Sequence, residues 1–310
     1  KYNIHSNKII LLIIIIILQL LSYIYFNISK DKKFIDNFDY INYESHLITK
    51  RMKENAGWMY TSSNQYYLVN GIIRKHKPKN CLEVGVARGG SSILILNAIK
   101  DIPDSRLISL DLNTDLYFNH NNKTGFRVKL YFPELSNKWQ LFTGEQPHIF
   151  LQKLNMKFDF VFLDTAHISP GEILNFIEIL PFLNENAIFI IHDIIFHFSK
   201  EKGQTKIKSF TSPTLLLMSV LYGDKIILKS NDGIDNIGAI YLYKNQEKHY
   251  LDYFLLLMSF WEYMPSEKQL NEIRIFIKKY YKNDIYLLIF DTSIKNNKNY
   301  VNKIKELKIK

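Results

Sequence analysis

Asn80-Cys81-Leu82-Glu83-Val84-Gly85-Val86-Ala87-Arg88-Gly89-Gly90-Ser91-Ser92 is the stretch that decides the fold. Its apolar first half gives way to Gly85, Gly89 and Gly90, after which Ile93, Leu94, Leu96, Ala98 and Ile99 recur at helical spacing. Strand, tight turn and helix are therefore expected in that order. Glycine at such a turn lets backbone N–H groups approach a ligand closely and aims a helix N-terminus at it, which suits an anionic or carboxylate-bearing nucleotide derivative. The spacing is Gly85-x-x-x-Gly89-Gly90, not G-x-G-x-x-G, which disfavours a pyrophosphate-binding oxidoreductase.

Downstream, apolar runs alternate with helical patterns. Arg106 to Leu110 reads as a second strand ending in Asp111, 26 residues beyond Gly85. A carboxylate at that strand tip is placed to accept hydrogen bonds from ribose hydroxyls. Residues 114–138 show little periodicity and read as an insertion over the site. Trp139 to Thr143 is a third strand followed by Gly144-Glu145-Gln146, where Glu145 or Gln146 can meet a purine edge. Phe158 to Leu163 is the clearest strand and ends in Asp164-Thr165-Ala166-His167. Ser169-Pro170-Gly171-Glu172 then reads as a capped helix start with a capping-box pair, and the helix runs to about Leu180. A turn at Asn184-Glu185-Asn186 leads into Ala187 to Ile191, a fifth strand ending in His192-Asp193. After a helix at 214–221, Lys225–Lys229 and Ile237–Tyr243 form a hairpin turning at Asn231-Asp232-Gly233. All-apolar strands, each followed by a helix, predict an α/β, Rossmann-like fold: a mostly parallel seven-stranded sheet with helices on both faces and a C-terminal antiparallel hairpin. Ligands of such sheets bind beyond the carboxyl ends of the strands. The expected rim is Gly85, Asp111, Gly144, Asp164, His167, His192 and Asp193.

The flanks divide the chain into an anchor (1–30), a linker with N-terminal helices (31–79), the core (80–243) and a helical appendage (244–310). Ile9 to Ile28 is an apolar run about long enough to span a hydrocarbon core, and it is read as an uncleaved single-pass membrane anchor; a cleaved signal peptide is the rival. Lysines 30, 32 and 33 after the run, against 1 and 8 before it, place the remainder in the cytoplasm. Helices are expected at 45–53 and 62–76, with the aromatic loop Gly57-Trp58-Met59-Tyr60 between them. Three helices at 249–263, 266–281 and 296–308 make up the appendage, as a homodimer surface, a cap or extra packing on the sheet. The net charge of +10 comes from lysines scattered among Asn and Ile, so nucleic-acid binding is not expected. Cys81 is the single cysteine, which excludes an intrachain disulfide and reads as a buried hydrophobe.

Taken together, the Glu83–Ser91 segment, Ser109-Leu110-Asp111, the Phe158–His167 segment and Ile190-Ile191-His192-Asp193 resemble a class I S-adenosylmethionine-dependent methyltransferase. They are similar to the branch with Asp-x-x-His after the fourth strand and His-Asp after the fifth. That branch includes small-molecule and sugar O-methyltransferases and the proteins labelled cephalosporin hydroxylase. The resemblance spans about 60–243. It implies that Glu83, Gly85, Gly89 and Ser91 surround the methionine part of S-adenosylmethionine, that Asp111 holds its ribose and that residues near Glu145 flank its adenine. Asp164 and Asp193 are hard oxygen ligands suited to Mg²⁺. The resemblance implies a divalent ion that lowers the pKa of an acceptor hydroxyl, although His192 stands where some relatives carry an acidic ligand. His167 or His192 is then the general base, beside Asp164. The expected activity is O-methylation of a small molecule or glycan. The alternatives are a non-catalytic S-adenosylmethionine-binding or structural membrane protein, and another Rossmann-like enzyme that uses NAD.

Overall fold

A computed structural model describes residues 50–51, 63–117, 119–195, 212–230 and 233–308. The anchor stretch at 9–28, the juxtamembrane linker, the Trp58 loop, most of the helix expected at 45–53 and the polar piece at 199–209 lie outside the described residues. Among those described, no helix is long and apolar enough to cross a membrane.

The sheet strands are β1 (Asn80–Val84), β2 (Arg106–Asp111), β5 (Trp139–Thr143), β6 (Phe158–Leu163), β7 (Leu183–His192), β8 (Gly223–Ser230) and β9 (Gly233–Leu242), and β3 (Asp115–Leu116) and β4 (Asn119–Lys123) pair separately. Their order across the seven-stranded sheet is β5-β2-β1-β6-β7-β9-β8. From β5 to β7 every pairing is parallel, and β9 runs antiparallel to both β7 and β8. The hairpin is therefore folded inward: its second strand is interior and its first is the edge. The chain departs from β1 toward β2 on one side and returns to β6 on the other. This reversal opens a crevice above β1, where ligands of such sheets bind.

Period-two alternation divides the side chains between the two faces. Leu82, Val84, Val161, Leu163, Phe189 and Ile191 enter one core; Cys81, Phe160, Phe162, Ile188 and Ile190 enter the other. The second core is closed by α1 (Ser63–His76), α2 (Gly90–Ile99) and α3 (Phe126–Tyr131). The first is closed by α4 (Pro147–Leu154), α5 (Gly171–Ile179), α6 (Pro213–Val220), α7 (Tyr250–Leu255), α8 (Glu267–Tyr280) and α9 (Asp284–Lys308).

Several expectations need correction. The 114–138 segment is not a plain loop: it folds as the β3–β4 hairpin, α3 and a 3-10 turn at Pro133–Lys138, with Val128 and Phe132 buried against α2. The capping box at Ser169–Glu172 does not form. Pro170 holds the N-cap position of α5, and the Glu172 carboxylate instead accepts from the His167 backbone N–H and from Thr165 Oγ1 at 3.1 Å. The His167 N–H in the preceding loop outcompetes the helix end for that carboxylate. Asn184-Glu185-Asn186 is taken into β7, where the pairing with β6 shifts register between Phe158 and Phe160. In the appendage the first helix is much shorter than expected and the last begins at Asp284. Tyr253, Phe254, Trp261, Phe276 and Phe290 are buried in the same core as β6 and β7, so packing on the sheet is what these helices do. Each such ring contributes about 1.5–3 kcal/mol through burial.

Gly85 has φ +91°, and a Cβ built on it would lie 1.7 Å from the Asp164 carbonyl oxygen. No side-chain rotation relieves a clash with backbone, and the dihedral itself is costly for an L-residue. Gly85→Ala is expected to lose roughly 3 kcal/mol or more of unfolding free energy, measured by chemical denaturation.

Candidate active site

A cavity of about 850 Å³ lies over the carboxyl ends of β1, β2, β5, β6 and β7. Gly85, Ser91, Asp111, Glu145, Asp164, His167, His192 and Asp193 all line it. The sequence thus brings eight expected residues to one cavity. Gly89 and Glu83 are not among the residues that line it. Gly89, at φ +92°, packs tightly on α3, where a Cβ would come within 3.0 Å of Val128 Cγ2 and 3.1 Å of Gly125 Cα.

The turn after β1 is held by its own backbone, with Gly85 N–H donating to Leu110 O at 2.9 Å and Gly89 N–H to Val86 O at 2.8 Å. Asp111 braces it: Oδ2 accepts from Val86 N–H at 2.9 Å and Ala87 N–H at 3.1 Å, and Oδ1 accepts from Asn113 N–H at 2.8 Å. Each carboxylate oxygen has further acceptor capacity toward the cavity. Glu83 is fully buried beneath the turn. Its carboxylate accepts from the hydroxyls of Ser91, Ser92 (2.6 Å) and Ser109, and Ser109 Oγ in turn accepts from Trp139 Nε1 at 2.8 Å. Glu83 therefore ties β1, β2, α2 and β5 together without lining the cavity. Burial pushes its carboxyl up to about 7, outweighing the three hydroxyl donors that favour the charged form.

On the other side of the crevice stands a cluster of two carboxylates and two imidazoles. His167 Nε2 is 2.9 Å from Asp193 Oδ2 and 3.4 Å from Asp164 Oδ1; His192 Nδ1 is 3.2 Å from Asp164 Oδ1 and 3.4 Å from Asp193 Oδ1. His167 and Asp193 have left-handed backbones (φ 56° and 57°) that turn the chain abruptly at the strand tips. Burial alone would lower both histidines. For His167, hydrogen bonds to Asp193 and Glu172 and the charges of Asp164 and Asp193 win and push it up to about 11. For His192 the charge of Asp164, a hydrogen bond to it and the charge of Asp193 win, so its pKa is also raised. Asp164 moves the opposite way: burial would raise it, but His192 and His167 hold it low. The carboxylates thus favour the protonated form of both imidazoles in this arrangement.

Two further members escaped the sequence reading. Gln65 Oε1 on α1 lies 3.1 Å from His192 Nε2. Asn236 donates through Nδ2 to Asp193 Oδ1 and accepts at Oδ1 from Ile195 N–H at 2.7 Å, while Asp193 N–H donates to Asn236 O at 2.8 Å. The only signal for Asn236 was a polar residue just before the apolar run of β9. Asp164, His167 and Asp193 each offer one donor atom within 4.8 Å of the others, a set that could hold a cation.

Residues 82–194, which carry β1 through β7 and both halves of this rim, match a family model described as a methyltransferase domain. The match covers 113 of the 310 residues. Along the matched segment the glycine turn follows the first strand and the acids stand at the later tips. No curated protein matches the chain. Among solved structures, the O-methyltransferase TomG of Streptomyces achromogenes, in complex with SAM, is 16% identical over 69% of this chain and 96% of its own, with a TM-score of 0.46. The Bacillus cereus O-methyltransferase in complex with SAH is 16% identical over 68% and 96%, with a TM-score of 0.44. Similarity that distant carries no argument about chemistry.

A carboxyl raised from 4.5 to about 7 keeps its proton in the folded protein after the unfolded chain has released it. Folding stability from Glu83 is therefore greatest below the lower value, falls as pH rises through that window and is flat above it, for a total of about 3 kcal/mol. Glu83→Gln is expected to remove that slope, so denaturation at about pH 5 and about pH 8 should show the wild type losing more stability than the variant.

Proposed function

We propose that this chain moves the methyl group of S-adenosylmethionine to a hydroxyl oxygen of a small molecule or glycan. The observation that carries the reading is the placement of the acid–imidazole cluster on the same cavity as the glycine turn and Asp111. In this reading the turn at Gly85 and Ser91 receives the methionine part and Asp111 the ribose. In the transfer the S–CH3 bond breaks as the O–CH3 bond forms, the acceptor's proton passes by way of the carboxylate–imidazole cluster to water, and S-adenosylhomocysteine leaves. Positioning and charge stabilisation supply most of the rate in such a displacement.

Asp164, His167 and Asp193 fit a divalent cation such as Mg²⁺, since two hard carboxylates and an imidazole converge within one coordination sphere. A bound cation there would supply Lewis acidity toward the acceptor hydroxyl. His167 can bind one only after giving up the proton that Asp193 and Glu172 now stabilise, so cation and proton compete for Nε2. His192 faces Asp164 and is fixed from behind by Gln65. Glu172 and Asn236 orient His167 and Asp193 respectively. Residues 9–28 complete the reading as a membrane anchor that holds the domain at a cytoplasmic membrane face.

With methyl-labelled S-adenosylmethionine and a panel of phenols, polyols and sugars, Asp164→Asn is expected to cut turnover by about 100-fold or more while S-adenosylhomocysteine affinity stays within about threefold. Turnover that survives the substitution removes Asp164 from the chemistry. Calorimetry should give heat with S-adenosylmethionine and none with NAD. Full-length protein should sediment with membranes and resist alkaline extraction; recovery in the supernatant rejects the anchor.

A further inference from the structure

Ser91 faces two ways. It lines the cavity in the first turn of α2, a turn with no acidic residue and no side-chain cap of its own. Its hydroxyl nevertheless donates inward, to Oε1 of the fully buried Glu83, while Oε2 of that carboxylate accepts from Ser92 and Ser109. None of these partners is a cation. The elements around Glu83 present hydroxyls from α2 and β2 and, behind Ser109, the indole N–H of Trp139 on β5. The charge that reaches it, from Asp164 beyond the tip of β6, is of its own sign. A serine hydroxyl has one proton to give. Ser91 can therefore donate to Glu83 or to a group in the cavity, and not to both. Once a ligand carboxylate accepts from Ser91, an ionised Glu83 has lost a donor, and two like charges face one another across a single oxygen. A proton on Glu83 Oε1 removes both penalties, because the carboxyl then donates to Ser91 Oγ and Ser91 donates into the cavity. Burial already holds the Glu83 carboxyl at about 7, so that proton is within reach near neutrality.

We propose that Glu83 is a positioning residue that takes up a proton when the cofactor binds, and so turns the Ser91 hydroxyl from the interior to the cavity. The inference rests on the reading of the site given above, in which Ser91 receives the methionine part. One proton comes from solvent, sits on Glu83 Oε1 while the site is filled and returns to solvent when it empties. Affinity is then greatest where free Glu83 is already protonated and falls as pH rises through its titration. The link runs through a side chain that does not line the cavity.

The test is titration calorimetry of the full chain with S-adenosylhomocysteine at about pH 8, in phosphate and in Tris, whose unequal heats of ionisation report the protons exchanged. The wild type is expected to take up roughly one proton per ligand, and its affinity to fall about tenfold from about pH 6 to about pH 8. Glu83→Gln can place an N–H donor where Oε1 was and keep a carbonyl for Ser92 and Ser109, so its amide donates to Ser91 at every pH. This variant should bind with the wild type's affinity at about pH 6, hold it within about twofold to about pH 8 and take up no proton. Ser91→Ala keeps Glu83 but removes the relay, and should lose most of the uptake. A wild type that takes up no proton overturns the proposal, and so does uptake that is undiminished in either variant. Absence of any S-adenosylhomocysteine binding by the wild type rejects the underlying assignment of the cofactor instead, and the inference with it.

Discussion

The structure depends on a backbone-to-backbone contact between Gly85 and Asp164. The turn leaving β1 presses against the carbonyl at the tip of β6 so closely that no side chain fits between them, and Asp164 N–H donates to Val84 O at 2.9 Å alongside. The glycine turn and the first acid of the rim are thereby fixed to each other without any side-chain linkage. The neighbouring tips inherit that registration through the parallel ladder, in which Val84 faces both Leu110 and Leu163.

Charge at the rim is arranged as mutual neutralisation. Asp164 and Asp193 would each be costly to leave unpaired in a partly buried site, and the imidazoles of His167 and His192 face them at distances of about 3 Å. Glu172 is itself fully buried and anchors the His167 loop. A cluster balanced in this way is rigid, and it can accept another cation only by releasing a proton. Beneath the turn, Glu83 and its serines form a separate polar knot in which an acid is kept near neutral by burial.

Much of this was legible in the sequence, for physical reasons. Strands buried on both faces leave unbroken apolar runs, and their polar tips stand out against them, so the sheet, the glycine turn and most of the rim could be read. Glu83 was placed at the cofactor by the family resemblance alone, whereas in the fold its carboxylate lies beneath the turn. Its real partners, Ser91, Ser92 and Ser109, are reached only once β2 and α2 lie beside β1. The histidines were identified by type, but their protonation is set by carboxylates that folding brings close. Gln65 and Asn236 were invisible because their partners lie 127 and 43 residues away. The hairpin and short helices at 114–138 lack a periodic signal because their elements are too short to carry one.

The inward position of β9 bears on the order in which the protein can be assembled during synthesis. Every strand of the matched segment emerges before β9, yet Asp193 is held by Asn236, and β7 pairs with β9 rather than with β8, which is made first. A nascent chain that has released β7 still carries an open sheet edge and a loosely held carboxylate at its tip. The last rim acid is set only when a later hairpin slides in beside it, so the rim stays incomplete until nearly the whole sheet has left the ribosome.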